Sequence, residues 1–168
     1  MSDEVNDDIP ALDSIPDLEI PDIDLEDFDI PEEEETAVED ESGGSQTFAW
    51  IGSGQGGGRI AKAFYDRGYK KCIAVNTSYH DLDALDIPIE QRLLLDVGEQ
   101  GAGKDMEKGY EAANKYKQNI FDLMRKIYGN NVDHVFVCVG AGGGSGSGSS
   151  LVLIDIAKKY MKYVGHDN

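Results

Sequence analysis

Three glycine-rich stretches each follow a run of hydrophobic, strand-forming residues. Gly52 to Gly58 follow QTFAWIG (46–52), GEQGAGKD (98–105) follows LLLDV (93–97), and GAGGGSGSGSS (140–150) follows DHVFVCVG (133–140). Glycine lets backbone N–H groups converge on one point and lets a ligand approach the chain closely. A helix that opens just after such a loop adds free N–H groups and a partial positive charge. The guest that suits this combination is phosphate. In the last stretch the pattern turns helical near Ser147, and Ser145 and Ser147 can add hydroxyl donors and cap that helix. A flexible linker would need neither the strand before it nor the helix after it.

Each loop by itself leaves the ligand open. Gly52, Gly54 and Gly57 fit the dinucleotide fingerprint, which would make the chain part of an NAD-type oxidoreductase. That reading wants an acid for the ribose at the end of the second strand, where Asn76-Thr77 stands. Gly98, Gly103 and Lys104 approach a P-loop, but Asp105 takes the place of the Ser or Thr that would hold Mg²⁺ and would repel phosphate. Cys72 and Cys138 each sit in a hydrophobic run and read as buried free thiols of a reducing compartment. His80, His134 and His166 show no metal-ligand spacing.

The elements that would carry these loops alternate. Strands are expected at 46–52, 71–76, 93–97 and 133–140, the last apolar enough to be buried on both faces. Between them Ile60, Ala63 and Phe64 mark one helical face. Met106, Tyr110, Ala113, Ile120, Met124 and Ile127 form the stripe of one long helix closed by Gly129. Leu153, Ala157, Tyr160, Met161 and Val164 mark a final helix. The alternation predicts an α/β fold, a Rossmann-like parallel sheet with helices on both faces, with ligands outside the carboxyl ends of the strands. Trp50, the sole tryptophan, is expected at the end of the first strand beside the first loop.

The net charge of −18 is unevenly spread over the 168 residues. Residues 1–45 hold 19 acids and no Lys or Arg, which leaves 14 acids against 15 bases for 46–168. No basic patch suits direct nucleic-acid binding, no apolar run is long enough for a membrane span, and the acidic start is no secretory signal. A cytoplasmic location is expected. Four Ile-Pro pairs punctuate the first part, at Pro10, Pro16, Pro21 and Pro31. Proline breaks and mutual acid repulsion predict a disordered tail over 1–45, joined to a globular part at 46–168. The regularly spaced Ile, Leu and Phe28 allow the tail to dock a protein partner, as part of a non-enzymatic scaffold or otherwise.

Read together, four segments in order resemble the tubulin/FtsZ family through residues 46–164. GSGQGGGRIAKAF resembles its first phosphate loop and helix, and AVNTSYHDL is similar to AVNTDxxxL with Ser78 where Asp is usual. GAGKDMEKGYEAA resembles GAGxxPExGxxAA, with Met106 where proline is usual. GAGGGSGSGSS resembles the signature GGGTGTG, with Ser145 and Ser147 for threonine. The resemblance implies a filament-forming GTPase that binds GTP or GDP with Mg²⁺ and self-assembles through longitudinal contacts. It implies nucleotide contacts from Gly54, Gln55, Gly56, Gly57, Asn76, Gly101, Ala102, Gly103, Gly142, Gly143, Gly144, Ser145, Gly146, Ser147 and Gly148, with Gln55 near the Mg²⁺. The family's later strands, base-reading asparagine, central helix and catalytic acidic loop have no counterpart here. The expectation is a sheet truncated after the signature-loop helix, a phosphate-binding half without hydrolysis of its own, and no catalytic residue to assign.

Overall fold

Short apolar runs rich in Val, Ile and aromatic residues become four parallel strands, as expected of segments buried between helix layers. The computed structural model describes residues 23–31, 37–41, 44–98 and 101–166. The strands are β1 (Phe48–Ser53), β2 (Cys72–Asn76), β3 (Arg92–Leu94) and β4 (His134–Val139), in the order β3-β2-β1-β4. The helices are α1 (Gly54–Tyr65), α2 (Tyr79–Asp83), α3 (Met106–Lys115), α4 (Lys117–Tyr128) and α5 (Gly144–Tyr163). Alternation of side chains along β1 and β2 serves two cores. Ala49, Ile51, Ile73 and Val75 pack with α3, α4 and α5, whereas Ala74 packs with Leu82, Leu85 and Ile87 on the other face.

The sequence pattern misplaces several details. The stripe expected to form one long helix is two helices, because Tyr116 leaves helical geometry at φ −99° and ψ 15°. In α1 the buried face is Gly54, Gly57, Gly58 and Ala61, while Ile60 and Ala63 are exposed. The reason is close packing: a Cβ on Gly57 would meet the Cys138 carbonyl oxygen at 2.1 Å. Strand β4 is not buried on both faces. It is an outer strand, no described strand pairs with its far edge, and Phe136 is 41% exposed. Trp50 sits in mid-strand opposite Cys72 and Phe136, stacked between Phe64 and Phe136, away from the loops.

The largest departure concerns the acidic segment, where the expectation of disorder fails for residues 23–31 and 37–41. Ile23 and Phe28 are buried, and Phe28 stacks on Phe121 of α4 with ring centroids 4.2 Å apart. Further on, Val38 N–H donates to the Ile127 carbonyl, and the Asp40 carboxylate accepts from the Lys70 and Lys71 N–H groups. Acid repulsion opposes collapse of the segment on itself but not docking onto apolar surface flanked by lysines. Residues 1–22, 32–36 and 42–43, with their share of the Ile-Pro repeats, lie outside the described residues.

Three buried protons and one half-buried proton make the fold sensitive to alkali. Burial raises the thiols of Cys72 and Cys138 above their ordinary 9.0 and the phenols of Tyr128 and Tyr160 above 10.0. The folded chain keeps these protons after the unfolded chain has released its own, so their contribution is complete below about pH 9 and lost above it. Burial lowers Lys71, which acts in the opposite sense just below 10.5, but it is one group against four. The expected result is a thermal midpoint that falls steadily from pH 9 to 11. A midpoint that stays level over that range would show the four groups to be accessible to solvent.

Candidate nucleotide-binding site

At the carboxyl ends of β1, β2 and β4 the glycine loops close around a cleft of about 320 Å³. Its walls come from Ser53, Gly54, Gln55 and Gly56 after β1, Asn76 and Asp81 after β2, and Gly140 and Gly142 to Gly146 after β4, with Gly103 at the side. Helices α1 and α5 both begin at this cleft, and neither has a side-chain cap. Their first-turn amides and positive dipole ends are therefore aimed at one space.

The missing caps have a local cause. Ser53 precedes α1 and could cap it. Its hydroxyl instead pairs with the Ser149 hydroxyl at 2.6 Å and approaches the Ser145 carbonyl at 3.5 Å, which ties α5 to β1. Helix α5 starts at Gly144, not near Ser147, so neither expected serine caps it. Ser145 Oγ pairs with Thr77 Oγ1 at 2.5 Å, and Ser147 Oγ donates to the Ala141 carbonyl at 2.8 Å. Both hydroxyls hold loop to loop and leave the backbone amides to face the cleft.

Close backbone approach sets where glycine is obligatory. Gly54 stands at φ +68°, and a Cβ there would also lie 3.0 Å from the Gly146 nitrogen. At Gly144 a Cβ would meet the Asp105 carbonyl oxygen at 2.5 Å. At Gly142 and Gly143 it would meet nothing within 4 Å, so these two face open space.

Of the residues expected at the site, ten line the cleft: Gly54, Gln55, Gly56, Asn76, Gly103, Gly142, Gly143, Gly144, Ser145 and Gly146. Gly57, Gly101, Ala102, Ser147 and Gly148 do not line it. Gly57 and Gly148 are helix-packing contacts, the latter against the Met106 carbonyl. Ala102 is buried and donates its N–H to Thr77 Oγ1 at 2.8 Å. Gly101, at φ +116°, packs on Ser78. Asp105, the residue that spoils the P-loop, caps α3 by accepting from the N–H groups of Glu107 and Lys108. Lys104 is exposed and does not line the cleft.

Ser53, Asp81 and Gly140 line the cleft although sequence reasoning did not select them. Asp81 is the informative addition. Its carboxylate accepts from Gln55 Nε2 and Asn76 Nδ2, both at 3.4 Å, so two expected site residues meet on one acid. The signal was present in the motif AVNTSYHDL, where Ser78 caps α2 by accepting from the Asp81 N–H and so turns Asp81 back toward β2. Among the described residues no cluster of His, Cys, Asp and Glu could hold a metal by itself.

Comparison with known proteins agrees with this geometry. The family model described as Tubulin/FtsZ family, GTPase domain, matches residues 47–164. No curated protein matches the sequence. Among solved structures, CetZ1 from Haloferax volcanii, a GDP-bound monomer, is 34% identical with a TM-score of 0.61, covering 70% of this chain and 38% of that one. A GTPγS-form protofilament of TubZ from Bacillus thuringiensis serovar israelensis is 29% identical at TM-score 0.57, covering 69% and 34%. FtsZ from M. jannaschii, 23% identical at TM-score 0.55 over 73% and 34%, shares the fold. The chain thus spans little more than a third of the length of these relatives. With the match running from β1 to the end of α5, the chain belongs to the tubulin/FtsZ family through its GTPase domain.

Proposed function

We propose that the cleft binds the phosphates of GTP or GDP. The observation that carries this reading is the convergence of two uncapped helix N-termini and a ring of glycine backbone on one space. The same geometry supports roles for the ten cleft-lining residues and removes the need for Gly57, Ala102 and Gly148 to touch the ligand. CetZ1 is described with GDP bound and TubZ as a GTPγS protofilament, which favours a guanine nucleotide and longitudinal self-assembly here. We assign no residue the role of activating water. The dinucleotide reading is set aside.

The residues fit a Mg²⁺ that accompanies the phosphates. The Gln55 amide and the Asp81 carboxylate would hold its water shell, and the ion would offset charge between Asp81 and the triphosphate. Among the described residues the Asp81 carboxylate in the cleft has neutral hydrogen-bond partners, so without the ion it repels the phosphates. Asp81→Asn is therefore expected to tighten GTP binding in chelator by about tenfold and to flatten the dependence on Mg²⁺. Calorimetric titration with and without Mg²⁺ checks this, and an unchanged Mg²⁺ dependence contradicts it.

The primary test is titration of the chain with GTP, GDP, GMP and inorganic triphosphate. Affinity that follows the number of phosphates, with triphosphate competing against GTP, supports the proposal. Equal binding of GMP and GTP would overturn it. Trp50 is unsuited as a reporter because it is stacked away from the cleft. Among the described residues no helix is long and apolar enough to cross a membrane, and the free thiols of Cys72 and Cys138 suit a reducing, cytoplasmic setting. The acidic N-terminal segment would dock a protein surface through its Ile-Pro repeats.

A further inference from the structure

The docked acidic segment is one of two copies of a motif. Residues 24–32 read DLEDFDIPE, and ten residues earlier 14–22 read SIPDLEIPD. From the second position on, the pairs are Leu25 and Ile15, Asp27 and Asp17, Phe28 and Leu18, Asp29 and Glu19, Ile30 and Ile20, Pro31 and Pro21, and the acids Glu32 and Asp22. Glu26 and Pro16 alone differ in kind.

The matched positions from Leu25 to Pro31 have partners in the groove between α4 and α5. Asp27 lies 3.7 Å from Lys117 Nζ, and Asp24 lies 3.6 Å from Lys159 Nζ. Phe28 stacks on Phe121, and Leu25 and Ile30 pack against the core. The Asp29 N–H donates to Gln118 Oε1 at 3.0 Å, and Gln118 Nε2 donates back to the Asp29 carbonyl at 3.1 Å. Arg125 Nη2 donates to the Pro31 carbonyl at 3.2 Å. Arg125 is buried, and its Nε and Nη1 have no hydrogen-bond partner among the described residues. Both copies place an acid directly after the proline.

The upstream copy can take the same shape. The docked copy makes a single 3₁₀ turn at Leu25–Asp27, in which the Asp27 N–H bonds to the Asp24 carbonyl and the Asp24 N–H to the Asp27 carboxylate. Ser14 and Asp17 are the N-cap and third-residue types for such a turn. Pro16 falls inside the first turn, where proline is tolerated. The slip gives up three contacts. Leu18 for Phe28 loses the ring stack on Phe121, and Ser14 for Asp24 loses the ion pair with Lys159. Asp13 falls ten residues before the buried Ile23 and would have to stay outside the groove.

We propose that residues 14–22 are a second, intramolecular ligand for the α4–α5 groove, exchanging with residues 24–32 by a ten-residue slip. This deepens the partner-docking reading of the acidic segment: its partner is the chain's own domain. The reach permits it, since fourteen residues separate Asp22 from Ala37 and would loop out. Tethering favours the same chain over a second copy, because a short linker holds the ligand at about millimolar effective concentration. The occupied register decides whether 23–31 is held against α4 and α5 or released.

Disulfide trapping in the full chain reads the register. Asp27→Cys with Lys117→Cys should cross-link within one chain and serves as the control for an intact groove. Asp17→Cys with Lys117→Cys should cross-link weakly, and adding Phe28→Ala should raise its yield about tenfold, in keeping with loss of a buried aromatic ring. Leu18→Phe should raise the same yield with Phe28 left in place, which keeps the test sound should Phe28→Ala fold poorly. A 17–117 yield no greater than with 14–22 scrambled, in both backgrounds, would overturn the proposal. Cross-links that join two chains instead of one would overturn the intramolecular assignment.

Discussion

Gly146→Val is expected to abolish phosphate binding. A Cβ at this position would lie 2.9 Å from the Gly140 carbonyl oxygen, 3.1 Å from its nitrogen and 3.2 Å from the Ser53 carbonyl oxygen. All three are backbone atoms of the ends of β4 and β1, so no side-chain rotation relieves the contact. Two more methyl groups would drive the α5 N-terminus away from β1 and separate the two dipole ends that share the cleft. Overpacking of this kind costs about 1–3 kcal/mol in stability. Binding should fall further, by more than about a hundredfold, because anion recognition depends on amides from both segments at once.

Gly143→Val separates the two effects. This residue lines the cleft in an extended conformation at φ −117°, and a Cβ meets nothing within 4 Å. Its thermal midpoint should match that of the unsubstituted chain while GTP affinity drops, because the added side chain takes space the phosphates need. Calorimetric titration of both variants beside thermal melts decides the matter. Full GTP affinity in Gly143→Val would mean that the open space beside this glycine is not where phosphate lies.

The pair also shows what could be read from the residues alone. Loops at strand ends were legible because hydrophobic runs and glycine clusters are local signals, and their convergence follows from the parallel sheet. The division of labour among the glycines was not legible. Gly57 and Gly148 carry the same letter as Gly142 and Gly143, yet the first two admit a strand carbonyl and a helix backbone. Hydrophobic periodicity assigns glycine no weight, so it set the face of α1 on Ile60 and Ala63 when the contact face is Gly57 and Ala61. Asp81 escaped notice for a related reason. Its place in the cleft depends on a one-turn reversal capped by Ser78, and a motif read letter by letter gives no direction to the side chain. The burial of β4 was overstated because an apolar outer strand and an apolar central strand look alike in one dimension.

Removal of residues 1–45 should destabilise the domain, whereas removal of residues 1–22 should leave it unchanged. Composition alone separates an acidic segment from a balanced globular part near residue 45, and on that view either deletion is harmless. The contacts argue otherwise. Ile23 and Phe28 are buried at 2% and 6% exposure, and burying a side chain of this size contributes about 1.5–3 kcal/mol. Together they amount to about 3–6 kcal/mol against a usual domain stability of 5–15, before the ordering of the segment is charged against them. The ion pairs of Asp24 and Asp27 are too exposed to decide the outcome, so raising the salt should not release the segment. Loss of the segment also uncovers Phe121 and strips the Asp40 carboxylate from the Lys70 and Lys71 amides. The expected result in urea is a midpoint well below that of the full chain for the 1–45 deletion and an equal midpoint for the 1–22 deletion, in which residues 24–31 still fill the groove. GTP affinity measured at low temperature, where both remain folded, should be equal, since no described residue before Ser53 lines the cleft. Equal midpoints for both deletions would show that the Phe28 stack adds nothing to stability.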